Sequence, residues 1–149
     1  MPIGEFCNRE VVVAEPETTV LEAAQLMRQY HVGSIVVVDS SSGIRKPVGL
    51  ITDRDLVVEV LAAQANPDTL TIGDLLIGDI ATVSADAGVF DTLQYMRELG
   101  CRRMPVVDEA GRIVGIVTLD DFLGLMAEEL TELARLIPTE IRHEEKERP

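Results

Sequence analysis

Gly49-Leu50-Ile51-Thr52-Asp53-Arg54-Asp55 decides the reading of this chain, because it recurs as Gly115-Ile116-Val117-Thr118-Leu119-Asp120-Asp121. Both copies run Gly, two large apolar residues, Thr, two further residues, Asp. The apolar pair favours a strand and Thr-x-x-Asp favours a helix start, so each copy is a strand that runs into a helix. Such a junction has two readings. Thr-x-x-Asp is close to a capping box, in which the hydroxyl and the acid satisfy backbone N–H groups at the helix start. The same N–H groups carry the positive end of the helix dipole and favour phosphate, and an Asp one turn in suits a sugar diol. A single copy favours the cap. Its duplication within a repeat of the whole chain gives weight to the ligand reading.

The repeat extends outward on both sides. Ile3-Gly4-Glu5-Phe6-Cys7 recurs as Ile72-Gly73-Asp74-Leu75-Leu76, sixty-nine positions on. Val11-Val12-Val13 is a short β-branched strand, with Ile80-Ala81-Thr82 as its counterpart. Thr19 opens a helix whose Val20, Ala23, Ala24 and Met27 share one face; Val89, Thr92, Leu93 and Met96 match them, with Gly88 at the cap. Ser34-Ile35-Val36-Val37-Val38-Asp39 is apolar throughout, as a strand covered on both faces is, and Met104-Pro105-Val106-Val107-Asp108 matches it. The following turns differ in length, Ser40 to Pro47 against Glu109-Ala110-Gly111-Arg112, so the spacing falls to sixty-six by Gly49 and Gly115. After the junctions come helices carrying Leu56, Val57, Val60 and Leu61, and Phe122, Leu125, Met126 and Leu130.

Each half is therefore a β-α-β-β-α unit, too small to bury an adequate core alone. The expected fold class is mixed α/β (α+β). Two such repeats pack sheet against sheet with pseudo-twofold symmetry and form one module. The first repeat is placed at residues 1–66 and the second at 70–130, joined through Ala65-Asn66-Pro67-Asp68-Thr69. Residues 131–149 are read as a helical extension and a charged tail. Leu130, Leu133, Ala134 and Ile137 continue the apolar stripe there, to pack on the body or on a second chain, and His143 is a surface residue.

Composition narrows the function. Of the 149 residues 46% are hydrophobic and only 3% aromatic, so the core is aliphatic. Twenty-six acidic against 13 basic side chains give a formal net charge of −13. That opposes a nucleic-acid or membrane-surface binder, which needs a basic field, but leaves room for a small anion in a local basic pocket. Cys7 and Cys101 show no metal-ligand spacing, so no zinc site or disulfide framework is expected. The first residues have neither the basic nor the apolar region of a signal peptide, and no apolar run is long enough to span a membrane. A cytoplasmic location with reduced thiols follows as an expectation.

The paired halves, the Val-Val-Val-Asp and Pro-Val-Val-Asp strands and the two junctions together resemble a tandem pair of CBS (cystathionine-β-synthase) domains, of the small stand-alone bacterial kind, over residues 3 to about 130. The resemblance implies a non-catalytic regulatory module with two clefts between the repeats. Those clefts would take an adenosine-containing ligand such as AMP, ADP, ATP or S-adenosylmethionine, and two copies would pair as a homodimer that signals occupancy to an unidentified regulated protein. No cofactor is required and no metal is implied. Carried over by position, Asp121 would receive the ribose in one cleft, with Thr118, Asp120, Arg102 and Arg103 near the phosphate and Cys7, Val12, Val32 and Gly33 near the base. In the other, Asp55 would take the ribose, Thr52 and Arg54 would lie near the phosphate, and Leu76, Ala81, Cys101 and Arg102 near the base. Gly33 and Ser34 stand where the second repeat has Arg102 and Arg103, so the Asp55 cleft is expected to carry less basic charge.

Two other readings compete. As an enzyme the chain lacks His-Glu-x-x-His, a P-loop, Gly-x-Gly-x-x-Gly and any assignable nucleophile and base; Asp53, Asp55, Asp120 and Asp121 suit helix starts better than Mg²⁺. As a protein-interaction scaffold with vestigial clefts, it would rely on its apolar last helix.

Overall fold

The structure, a computed structural model, describes residues 1–148. The chain divides into two compact units, Met1–Val117 and a second that begins at Thr118. The elements are α1 (Ile3–Phe6), β1 (Val13–Ala14), α2 (Val20–Tyr30), β2 (Ser34–Asp39), β3 (Lys46–Thr52), α3 (Asp53–Asp55), β4 (Val83–Ser84), α4 (Val89–Leu99), β5 (Arg103–Val107), β6 (Ile113–Thr118) and α5 (Leu119–Glu147). They form two three-stranded sheets with the same order, β1-β2-β3 and β4-β5-β6. In each, the first strand pairs parallel with the second, Val13 opposite Val36 and Val83 opposite Val106. This is the α+β fold of two like halves that the repeat implies.

β2 is buried on both faces, and the reason is visible in the packing. Ile35 and Val37 pack with Ala23 and Met27 of α2 and with Ile51 and Ile72. Val36 and Val38 point the other way and pack with Ile116 of β6, with Ile113, Leu50, Val11 and Val13 beside them. An alternating strand thus feeds two cores at once, and a continuous Val-Val-Val run is what that position requires.

The opening segment of each repeat crosses to the other half. Ile3 N–H donates to Ala87 O and Gly4 N–H to Ala85 O; sixty-nine residues on, Ile72 N–H donates to Thr18 O and Gly73 N–H to Pro16 O. Val89 N–H donates to Met1 O, and its counterpart Val20 N–H to Leu70 O. The same register on both sides is the pseudo-twofold relation in hydrogen bonds. It also explains why Ile72, from the second repeat, lies fully buried in the core of the first.

Two details differ from the sequence reading, and a third distinguishes the halves. The first strand of each half lies about two residues later than Val11-Val12-Val13 and Ile80-Ala81-Thr82, because the ladder to the long strand starts at Val12 O, which accepts from Val36 N–H. After Asp55 the helix becomes a wide π-turn over Leu56–Leu61, with Ala62 N–H bonded to Val57 O and Ala65 N–H to Val60 O. Valines at 57, 58 and 60 are stiff, crowded residues for a regular helix, and π-turns of this kind collect at functional sites. Finally, α2 ends on His31 in the left-handed region at φ 54°, where α4 ends on Gly100 at φ 68°; glycine is the residue that adopts this cap without cost.

The second unit is one helix. Thr118 caps it, and it runs to Glu147 through Pro138, whose ring leaves the Ala134 carbonyl without its usual N–H partner. Among the described residues no helix is long and apolar enough to cross a membrane.

Candidate functional site

Both junctions are capping boxes. Thr52 Oγ1 accepts from Asp55 N–H at 3.3 Å while Asp55 Oδ2 accepts from Thr52 N–H at 2.8 Å, and Thr118 and Asp121 repeat both bonds at 3.3 and 2.8 Å. The two readings of the motif are compatible. The cap occupies one oxygen of each carboxylate and fixes its orientation, which leaves Oδ1 of a half-buried Asp55 to meet a hydroxyl.

Asp55 stands in the wall of a cavity of about 400 Å³ in the first unit, a size suited to a nucleoside-sized ligand. One side is β3, from Gly49 to Ile51; the other is the segment Leu75 to Ala81; Leu99, Cys101, Arg103 and Pro105 complete it. Gly49 is there for a reason of space. A Cβ built on it would collide with the branched end of the Leu76 side chain. Gly115 is its counterpart, and a Cβ there would meet Asn8 O at 2.6 Å and Cys7 Sγ at 2.6 Å.

The opening segments of the two halves are not paired alike. Asn8 and Ile116 exchange a pair of backbone hydrogen bonds, each 2.9 Å, which zips the first repeat's opening segment onto β6. At the equivalent place Ile77 is 92% exposed. Pro105 marks a second difference between the halves. Its counterpart Val36 donates its N–H to Val12 O at 3.0 Å; proline has no N–H, so the Ala81 carbonyl has no such strand donor opposite it.

The other residues singled out by sequence fall as follows. Ala81 and Cys101 line the cavity with Asp55. Arg103 lines it too, its guanidinium coming 3.6 Å from where a Gly33 Cβ would lie, so the cleft expected to be poor in basic charge has an arginine in its wall. Arg102 is exposed. Thr52 is committed to its cap, and Arg54 is exposed at the helix start. Val12 and Val32 line a cavity of about 540 Å³ with Arg9, Glu10, Leu26 and Tyr30, and all but Leu26 of these six are the repeat counterparts of residues around the Asp55 cavity. Cys7 is buried, and Gly33 O accepts from Asp53 N–H. Thr118, Asp120 and Asp121 start α5, with Asp120 exposed. Sequence reasoning passed over Leu75, Asp79, Leu99 and Pro105 as cavity residues; Asp79 and Leu99 are the repeat counterparts of Glu10 and Tyr30, which line the cavity of the other half.

Burial raises the Cys101 thiol above its ordinary range. A raised thiol is protonated at neutral pH and becomes the reactive thiolate only as pH rises past its own value. Alkylation by iodoacetamide is expected to be slow at pH 7, to climb through pH 9, and to slow again when the cavity is filled. Mass-spectrometric labelling rates at Cys101 check this. Fast labelling at pH 7 would place the thiol outside the cavity.

The CBS domain family model matches residues 3–62 and 72–128. An uncharacterized protein of Methanopyrus kandleri is 37% identical over 121 residues, 81% of this chain and 60% of that protein's length. Among solved structures, hypoxic response protein I with two coordinated zinc ions is similar with a TM-score of 0.71 at 34% identity, over 83% of this chain and 97% of that one. The cytosolic domain of the Mg²⁺ channel MgtE in complex with ATP is similar with a TM-score of 0.70 at 29% identity, over 83% of this chain and 48% of that one.

Proposed function

The chain belongs to the CBS domain family as a pair of repeats, and from that premise we propose that this regulatory module senses an adenosine-containing ligand in the cavity beside Asp55 and performs no catalysis of its own. One observation carries the proposal: a half-buried carboxylate with an oxygen to spare and an arginine stand in one nucleoside-sized, largely apolar cavity. Asp55 Oδ1 accepts the ribose hydroxyls. Arg103 pairs with phosphate oxygens, which its forked donors match. The base lies among Leu76, Ile80, Ala81 and Pro105, and the Ala81 carbonyl accepts from the exocyclic amine. The ATP complex of the related channel domain supports this class of ligand. The Thr118–Asp121 junction presents the same capped carboxylate and is proposed as a second ribose acceptor.

The zinc of hypoxic response protein I is not carried over, since no group of three or more His, Cys, Asp or Glu that could hold a metal occurs among the described residues. Self-association is part of the proposal. A groove of about 460 Å³ lined by Val20, Leu21, Val57, Val60 and Leu61 has no charged residue in its lining, and Leu61 is 74% exposed. A second copy of the chain covers it and makes the homodimer.

Titration calorimetry with AMP, ADP, ATP and S-adenosylmethionine tests the ligand class. Saturable heat is expected from at least one, at one or two sites per chain. No saturable heat from any of the four overturns the proposal and leaves the scaffold reading.

A further inference from the structure

The family match ends at residue 128, and α5 continues to Glu147. Every side chain from Ala127 to Glu147 except Thr139 is exposed. The stretch is nonetheless not a polar helix. Leu123, Leu130, Leu133, Ile137 and Ile141 are 59%, 65%, 63%, 64% and 51% exposed. With Met126, Ala127 and Ala134 they fall within roughly 120° of helical arc, a single stripe. Leu123, Leu130 and Ile137 recur every seventh residue, and Met126 and Leu133 fall between them, the spacing of a coiled-coil seam. The opposite face carries Glu128, Glu132 and Arg135, the last two 3.9 Å apart as an ion pair. Pro138 follows Ile137 and its ring lies beside the seam, while the carbonyl it leaves without an N–H partner is that of Ala134, toward the edge of the stripe.

We propose that this extension is a self-pairing helix, whose stripe seats against the same stripe of a second copy of the chain. A seam with seven-residue recurrence fits a facing helix of the same recurrence, and a second copy supplies one at equal concentration. Five side chains on each helix, each exposing about 100 Å², bring the area removed from water to on the order of 1,000 Å², the threshold for a specific interface. Elsewhere on the helix acidic groups outnumber basic ones, and Glu144 and Glu145 close the stripe at its far end. Pairing is therefore apolar in origin and opposed by charge, so added salt strengthens it. The contact is separate from the groove beside Leu61 and from ligand binding.

The experiment is sedimentation velocity on the full chain. Leu61→Glu is introduced first to remove the groove contact, and Leu130→Glu with Ile137→Glu are then added; all three positions are exposed, so the fold tolerates them. The Leu61→Glu chain is expected to remain self-associated, more tightly at 0.5 M than at about 0.05 M NaCl, with a Debye length falling from roughly 14 to 4 Å. The two extension changes weaken that association at least tenfold. Oxidation of a Leu133→Cys chain yields a covalent dimer linked through position 133. The inference is overturned if the Leu61→Glu chain is already monomeric, if the extension changes leave association untouched, or if salt weakens it, which would indicate a charged partner surface instead. A monomeric wild-type chain that still binds nucleotide would sink this inference and leave the ligand reading standing.

Discussion

Replacing Gly115 with alanine is expected to lower the melting temperature by roughly 6–12 °C, from about 3 kcal/mol of lost stability. Gly115 lies buried on β6, where the opening segment of the chain crosses. A Cβ there meets the Asn8 carbonyl carbon at 3.2 Å as well as its oxygen at 2.6 Å. Backbone cannot rotate out of the way, so either the crossing segment retreats or β6 bends. Retreat breaks the Asn8–Ile116 pair of hydrogen bonds, each worth about 1 kcal/mol, and disturbs buried Cys7. Gly49→Ala is the instructive comparison. The nearest atoms to its Cβ are all at the branched end of half-buried Leu76, a flexible side chain that lines the cavity. That variant is expected to keep most of its stability and to lose ligand affinity several-fold as Leu76 fills the space. Thermal unfolding followed by circular dichroism separates the two. A Gly49→Ala chain as destabilised as Gly115→Ala would mean that Leu76 cannot turn aside and that the two crossings are equally rigid.

That contrast also marks how far the sequence was legible. Repetition exposed the two halves, because a one-residue slip in a strand moves every side chain to the wrong face and so the apolar pattern is tightly constrained. The Val-Val-Val run of β2 announced a strand buried on both sides, and both cores are there. What the pattern concealed was exchange: Ile3 and Ile72 look like the starts of their own repeats, yet each lies across the other half. Periodicity reports that a residue is buried and is silent about which core receives it. The cleft residues were legible in class and less so in place. Asp55, Ala81 and Cys101 stand together, because each is fixed by a strand end or helix cap with a counterpart in the repeat. Arg103 was placed by analogy with a phosphate contact at Asp121, and it lines the cavity of Asp55; a long side chain at a strand start reaches several neighbours, and sequence position does not choose among them. Pro105 stands within the second copy of the buried strand, and that it lacks the N–H its counterpart gives to the facing strand is visible only once Val36 is known to pair with Val12 O.

Asp55→Asn is expected to weaken AMP binding roughly 10–100-fold while leaving the fold almost unchanged. The amide oxygen of asparagine still accepts from Thr52 N–H, so the cap survives with a cost of about 0.5 kcal/mol at most. The ribose loses charge-assisted hydrogen bonds worth about 1.5–3 kcal/mol, which converts to the stated range. The sign of the change carries the inference. AMP is an anion and the chain is at −13, so deleting a carboxylate that merely capped a helix would relieve repulsion and tighten binding. Weakening therefore requires direct contact. Asp53 supplies the control: its side chain accepts from Arg54 N–H and it is exposed, so Asp53→Asn should bind AMP as well as the parent or slightly better. The deoxy ligand completes the test. 2′-Deoxy-AMP should bind the parent chain several-fold less tightly than AMP, and the two ligands should converge on the Asp55→Asn chain, because the group that told them apart has gone. If calorimetry shows the preference for AMP intact in that variant, the diol lies elsewhere and Asp55 is a cap alone.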